Sequence, residues 1–306
     1  MSNASSFTEP PFAYRRDVTL APFTTFRIGG PADLLTEPAT PDELAAAVTW
    51  AREQRMPLQI IGLGANVLIG DRGIRGLVII NRAGGIEYQD HQVTAGSGVT
   101  IAELITDSIR RGLSGFEHYI NIPSTVGGAL WQNLHFLSPD RSRTVFIEEI
   151  VDSAEILTAA GKRRTVDRGY FKFGYDDSIL HHQADIVLTA TFALMPQPPD
   201  QLKAIADANA AWRAEKHPPG AERSSAGSIF RKLEGIGAGR LIDAAGLKGY
   251  TVGGAQVSDL HANYILNLGG ATAADVRDLI RHVQREVKAA SGHHLEPEIG
   301  ILGEFE

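Results

Sequence analysis

The sequence predicts an α+β protein made of a small α/β unit, a strand-rich middle and an α+β C-terminal unit. Three observations carry that prediction. At 306 residues the chain is long for one hydrophobic core, so two or three domains are expected. Its apolar residues recur at helical spacing in some stretches and alternate in others. Gly84-Gly85 and the Pro-rich stretch from Pro196 to Pro199 punctuate that pattern where boundaries would fall.

Composition narrows the function classes. Hydrophobic residues make up 43% and charged residues 21%, the balance of an ordinary globular protein. The net charge of −7, with no basic block, argues against nucleic-acid partners and against anionic membranes. The chain has 0 cysteines, which excludes disulfides, thiolate metal sites and cysteine nucleophiles. No run of about 18 apolar residues and no charged-then-apolar leader is present, so a cytoplasmic protein is expected.

Residues 1–17 carry no periodic pattern and Pro10-Pro11 breaks what there is, so a flexible N-terminus is expected. Residues 18–82 read as a βαββ-like unit. Gly29-Gly30-Pro31 is a turn with Arg27 just before it, either a surface charge or a neighbour of an anionic ligand. Thr40 and Glu43 make a capping box around Pro41, and Leu44, Ala47, Val48 and Ala51 share the inner face of the helix that follows. Then Gln59-Ile60-Ile61-Gly62-Leu63-Gly64-Ala65-Asn66-Val67-Leu68-Ile69-Gly70 reads as strand, tight loop, strand. Two glycines in three residues let the backbone take positive φ and approach a neighbour closely. Successive N–H groups in such a turn can hold an anion, so the loop is either a diphosphate cradle or a glycine-rich hairpin turn.

Residues 83–198 form the strand-rich middle. Thr100 caps a helix carrying Ile101, Leu104, Ile105 and Ile109, closed by Gly112. The small residues of Ser124-Thr125-Val126-Gly127-Gly128 signal close backbone approach to a ligand or to a neighbouring element. Residues 199–306 hold helices from about Leu202 to Lys216, from Ala238 to Ala245 and from Thr272 to Gly292. A final strand is expected over Leu295 to Leu302, confined to an edge by Pro297.

The usual catalytic signatures fail. Gly62-Leu63-Gly64 is not followed by the helix of a dinucleotide fingerprint, and Ala226-Gly227-Ser228-Ile229-Phe230 is not a nucleophile elbow. His181-His182 and His293-His294 are adjacent pairs whose side chains would diverge along a strand, so no metal site is expected. Gly-rich loops at 62–64 and 127–128, with Arg27 and Asn66 near in sequence, suit a diphosphate-bearing cofactor outside the Rossmann class.

At this point a family resemblance becomes specific. Thr24-Thr25-Phe26-Arg27-Ile28-Gly29-Gly30, Gly62-Leu63-Gly64-Ala65-Asn66-Val67-Leu68, Gly112-Leu113-Ser114-Gly115 and Ile122-Pro123-Ser124-Thr125-Val126-Gly127-Gly128 run in the order found in the UDP-N-acetylenolpyruvoylglucosamine reductases. So do Gly227-Ser228-Ile229-Phe230, Ala238-Gly239-Arg240-Leu241-Ile242, Gly253-Gly254-Ala255-Gln256-Val257-Ser258, His261-Ala262-Asn263 and Leu295-Glu296-Pro297-Glu298. From about residue 20 to the end, the chain resembles the compact second type of that family. The resemblance implies a two-subdomain FAD-binding fold of the vanillyl-alcohol-oxidase type (18–82 and 83–198) and a C-terminal α+β substrate domain (199–306). It implies non-covalent FAD held by Arg27, Gly62, Leu63, Gly64, Ala65, Asn66, Val67, Ser124, Thr125, Gly127, Gly128 and Asn133. It implies NADPH as reductant and a UDP-sugar as substrate, met by Tyr175, Arg231, His261 and Asn263, in a protein expected to be a monomer. Ser228 matches the proton donor and Glu298 the catalytic glutamate. That chemistry suits the residues: hydride addition to the enolpyruvyl group builds up enolate charge, and a proton must arrive at the neighbouring carbon. A serine hydroxyl is a weak acid and needs neighbours that relay a proton to it.

Two stretches depart from the family pattern. Gly174-Tyr175-Asp176-Asp177-Ser178 has Asp176 where the family has an arginine for the enolpyruvyl carboxylate. A like charge about 4 Å away would cost roughly 4 kcal/mol at an effective dielectric near 20. Asp176 therefore points away, or a cation such as Arg231 or Lys232 compensates, or the substrate differs. After Ala129 the family's glycines give way to Leu130-Trp131-Gln132-Asn133-Leu134-His135-Phe136-Leu137, so a differently shaped loop is expected, with Asn133 kept. Ser124 and Ala65 also stand where glycine and serine are common. A related flavin reductase with another substrate, or a catalytically silent flavin-binding homologue, are the rival readings. Retention of Ser228 and Glu298 argues against the second.

Overall fold

In the computed structural model, residues 8–220, 224–233 and 235–305 are described. They fall into two compact units that do not follow the chain linearly. The first takes the chain up to Val18, then Asp33–Gly62 and Arg75–Ala206. The second takes Thr19–Ala32, Leu63–Ile74 and Asp207 onward.

The first unit holds two sheets. Strands Arg15–Thr19, Pro31–Thr36, Ile74–Ile80 and Leu58–Ile61 lie side by side in that order, the last two parallel. Helix α1 (Pro41–Glu53) packs its predicted face, Leu44, Ala47, Val48 and Ala51, with Leu34, Leu77 and Ile79. Thr40 Oγ1 accepts the Glu43 N–H at 3.2 Å, but the Glu43 carboxylate takes the Ala39 N–H at 2.7 Å, so the expected capping box closes one residue early. The second sheet is antiparallel throughout, in the order Arg163–Asp167, Val151–Leu157, Ile186–Ala193, Gln92–Gly96, Ile86–Gln89. Helix α2 (Ile101–Arg111) carries a complete capping box between Thr100 and Glu103 and ends on Gly112 in the left-handed region. Its Ile101, Leu104 and Ile105 join Phe116, Phe192 and the inner face of this sheet in a second core.

The expected flexible N-terminus needs correction. Residues 1–7 lie outside the described residues, but from Thr8 the chain is docked. The Thr8 N–H donates to Gln54 Oε1 at 2.9 Å, Thr36 Oγ1 donates to Ala13 O at 2.8 Å, and Phe12 meets Trp50 edge-on at 5.6 Å. Two aromatic rings, Phe12 and Tyr14, pack against the α1 core, which outweighs the Pro10-Pro11 break.

In the second unit, the helix Ala273–Ser291 is capped by Thr272 with Asp275 and closed by Gly292. Both oxygens of Asp71 accept its first amides, from Ala273 and Ala274. The predicted stripe Val276, Leu279, Ile280, Val283 and Val287 is buried with Phe26, Leu68, Phe230 and Ile242. A three-stranded sheet, Thr251–Val252, Ala255–Val257 and Ile265–Asn267, covers part of it.

The glycine loop is not a hairpin. Leu58–Ile61 pairs with Ile74–Ile80, whereas Val67–Ile69, after the loop, pairs in parallel with Gly300–Leu302. The loop therefore passes between two different sheets. The C-terminal strand is shorter than the 295–302 expected. Pro297 offers no N–H and forms only an isolated bridge to Phe230.

Candidate active site

In the first unit, Gly62 sits against Thr125. A Cβ on Gly62 would lie 2.7 Å from Thr125 Oγ1, so only glycine fits. Thr125 is the N-cap of helix α3 (Val126–Gln132), and its Oγ1 accepts the Gly128 N–H at 3.2 Å. Gly127 donates to Ser97 O and Val126 to Val99 O, both at 2.8 Å, while Ser124 O accepts from Ile101. Asn81 Nδ2 donates to Ser97 Oγ at 2.9 Å and holds that segment from behind. Gly62, Ser124, Thr125, Gly127 and Gly128 are thus drawn together. An open depression of about 320 Å³, lined by Arg82, Gly84, Gly98, Thr100 and Glu103, lies beside the same Ser97–Val99 segment.

The stretch after Ala129 continues α3. Asn133 ends the helix at φ 48, a conformation asparagine tolerates. Its Nδ2 donates to Gly174 O at 2.9 Å and its Oδ1 accepts from Glu148, so its amide is engaged by the protein's own main chain. Ser178 Oγ donates to Trp131 O at 2.9 Å. The two stretches that depart from the family pattern therefore meet. Asp176 is nearly buried at φ 52, and its Oδ1 lies 3.8 Å from His135 Nδ1. The His135 ring packs on Tyr175 at 4.6 Å and on Phe146 at 5.1 Å, while Tyr175 stays 54% exposed.

In the second unit, Gly64 has φ +61, and a Cβ there would strike Phe23 O at 2.2 Å. Its carbonyl accepts the Thr25 N–H at 3.1 Å, which ties the loop to the turn carrying Arg27, itself exposed and left-handed at φ 57. Asn66 Nδ2 reaches Glu298 O at 3.4 Å, and Asn66 O accepts from Gly300. Among the described residues the amides of Leu63, Gly64, Ala65 and Asn66 donate to no protein acceptor. Four successive unused donors on a partly buried turn are what an anionic diphosphate would satisfy.

The segments that carry Ser228 and Glu298 are paired in this unit. The segment 228–231 lies between 263–264 and 296–298: Ile229 N–H donates to Asn263 O, Glu298 N–H to Ile229 O and Arg231 N–H to Glu296 O. Asn263 Oδ1 accepts from Phe230 N at 3.0 Å and its Nδ2 donates to Phe230 O at 2.9 Å, so both arms of its amide clamp this segment. His261 Nδ1 accepts the Asn263 N–H, and burial lowers the pKa of its ring. Arg231 and Lys232 are exposed. Burial, helped by Arg213 and His261, pushes His217 down to about 4, and burial with Glu298 nearby raises the Tyr264 phenol. Tyr264, His217 and His135 escaped the sequence reading. Only Tyr264 had a signal, lying next to His261-Ala262-Asn263.

Among the described residues no three His, Asp or Glu side chains converge as a metal site, and no helix is long and apolar enough to cross a membrane.

Residues 32–167 match the family profile of an FAD binding domain. Residues 218–302 match that of the UDP-N-acetylenolpyruvoylglucosamine reductase C-terminal domain. An FAD-binding domain followed by such a C-terminal domain defines an FAD-dependent oxidoreductase. The UDP-N-acetylenolpyruvoylglucosamine reductase of Agathobacter rectalis is 39% identical over 97% of this chain and 96% of its own. That of Pediococcus pentosaceus is 40% identical over 93% of each. The solved structure of the Thermus caldophilus reductase superposes with a TM-score of 0.80 at 31% identity, covering 95% of this chain and 100% of that one. The chain belongs to the UDP-N-acetylenolpyruvoylglucosamine reductase family.

Proposed function

We propose that the protein reduces the enolpyruvyl group of UDP-N-acetylenolpyruvoylglucosamine to UDP-N-acetylmuramate, with NADPH as reductant, in peptidoglycan synthesis. The observation that carries this is the pinning of Glu298 to the Ser228 segment through the 2.8 Å bond from Glu298 N–H to Ile229 O. The chemistry supplied by bound FAD is hydride transfer from NADPH to the enolpyruvyl carbon. The free amides of Leu63 to Asn66 take part of its diphosphate. In the second unit Arg27 and Val67 are further cofactor-binding residues, and in the first unit Gly62, Ser124, Thr125, Gly127, Gly128 and Asn133 are. Residues 18–82 and 83–198 serve the cofactor and residues 199–306 the substrate.

Ser228 Oγ donates the proton to the carbon next to the one that receives hydride, and the Glu298 carboxylate polarises the developing enol. Tyr175, Arg231 and His261 meet the substrate, and Asn263 acts by holding Phe230 and hence Ser228. The protein works as a cytoplasmic monomer without nucleic-acid or membrane partners. The test is spectroscopic. The purified protein is yellow, NADPH bleaches it, and UDP-N-acetylenolpyruvoylglucosamine restores the colour without oxygen. A protein that NADPH bleaches but this substrate does not reoxidise refutes the assignment. That outcome favours a relative with another substrate, the reading that Asp176 supports.

A further inference from the structure

The two stretches that depart from the family pattern build one side-chain assembly around Tyr175. The turn 174–177 is closed by the Gly174 N–H, which donates to Asp177 O at 3.0 Å. Both sides of it hang from the end of α3: Asn133 Nδ2 donates to Gly174 O and Ser178 Oγ to Trp131 O, each at 2.9 Å. Asp176 takes the left-handed conformation at φ 52 and is nearly buried, while Tyr175 beside it stays 54% exposed. The turn therefore offers a ligand an aromatic ring and no cation of its own.

His135 supplies the surface on which that ring rests. The two rings lie 4.6 Å apart at 43°, and Phe146 meets Tyr175 edge-on at 6.3 Å, separations at which aromatic pairs attract. His135 is itself held. It opens the strand His135–Leu137, which pairs antiparallel with Thr144–Phe146 and sets His135 opposite Phe146, ring to ring at 5.1 Å. Its Nδ1 lies 3.2 Å from Asn133 O and 3.8 Å from Asp176 Oδ1. Both neighbours are acceptors, so Nδ1 carries the proton that anchors the ring. A tyrosine ordered only on binding loses its rotamer freedom at that step, whereas a ring already held does not. We infer that His135 is a positioning residue: anchored through Nδ1, its ring holds the Tyr175 ring in the orientation that meets the substrate. The inference rests on the substrate contact proposed for Tyr175. Where the family pattern has an arginine in this turn, this chain has Asp176, which faces the imidazole that orients the tyrosine.

Spectral titration of the oxidised, FAD-loaded protein with UDP-N-acetylenolpyruvoylglucosamine reads binding without turnover. His135→Ala is expected to raise Kd roughly two- to tenfold, the range for ordering one side chain, with kcat within about twofold. Tyr175→Ala is expected to raise Kd at least as far, and His135→Ala added to Tyr175→Ala to change it no further. A further rise of the same size in that background overturns the inference, as does an unaltered Kd in His135→Ala. If Tyr175→Ala binds as the unsubstituted protein does, the contact proposed for Tyr175 is wrong and the inference falls with it. If the unsubstituted protein neither binds this substrate nor is reoxidised by it, it is the functional assignment that fails. Positioning is then judged on the protein labelled with fluorotyrosine. There the Tyr175 fluorine signal, identified by its loss in Tyr175→Phe, must move toward that of the free amino acid in His135→Ala; an unmoved signal overturns the inference. Should His135→Ala not fold, His135→Gln takes its place, since it keeps an N–H for Asn133 O and lacks the ring. The same rise in Kd is expected, and an unaltered Kd overturns the inference.

Discussion

His135 Nδ1 lies 3.8 Å from Asp176 Oδ1, so the carboxylate that replaces an expected arginine has an imidazole as its neighbour. His135 belongs to the second stretch that departs from the family pattern, so the two departures meet at Asp176. Taking His135 away leaves a nearly buried carboxylate without that neighbour. His135→Ala is expected to lose about 1–3 kcal/mol of stability, and Asp176→Asn in the same background to recover most of it. Urea unfolding of the two singles and the double decides; additive effects would show that the residues do not interact.

Ser228→Ala separates the two half-reactions. Bleaching by NADPH should persist, while reoxidation by the enolpyruvyl substrate falls by roughly 100-fold or more. Retained turnover would remove Ser228 from the proton-donor role.

Gly64→Ala tests the loop. A Cβ there would strike Phe23 O at 2.2 Å, and the backbone sits at φ +61. Strain of about 1–3 kcal/mol is expected, together with weaker FAD binding, since the free amides of the turn move with it. Calorimetry and flavin titration measure the two effects, and an unchanged flavin affinity would detach the loop from the cofactor.

Asn263→Ala removes both hydrogen bonds to the buried Phe230 main chain. Two unsatisfied main-chain groups should cost about 2–5 kcal/mol, larger than any plausible loss from a substrate contact alone. A variant of unaltered unfolding midpoint and raised KM would reverse that assignment and make Asn263 a direct substrate ligand.

The pH dependence of stability should carry the signature of His217. Its pKa in the fold, about 4, lies below the ordinary histidine value of 6.5. Between those values the unfolded chain binds more protons, so stability rises with pH there. The contribution of the neutral ring is complete above about pH 6.5 and is lost as the pH falls through 4. His217→Gln should flatten the acid limb of the midpoint-versus-pH curve in that window, and a slope equal to that of the unsubstituted protein counts against the burial.

Much of this fold was legible in the sequence because its signals are local. Thr100 with Glu103, Gly112, and Thr272 with Gly292 set helix ends through bonds spanning three or four residues. The stripe Val276, Leu279, Ile280, Val283 and Val287 showed its buried face by spacing alone. The family resemblance carried by the motifs implied the cofactor class and singled out Ser228 and Glu298. Tertiary structure decided what those motifs touch. That Val67–Ile69 pairs with Gly300–Leu302 makes the Gly62-Leu63-Gly64 loop a crossing between sheets and not a hairpin. Asn133 is spent on Gly174, 41 residues away, and Asn263 on Phe230, 33 away, while His135 finds Asp176 and Tyr264 finds His217 across similar separations. Periodicity and capping are read within a turn or two of chain. The partner of a buried polar group depends on which distant segments the whole core brings together, and no local pattern encodes that.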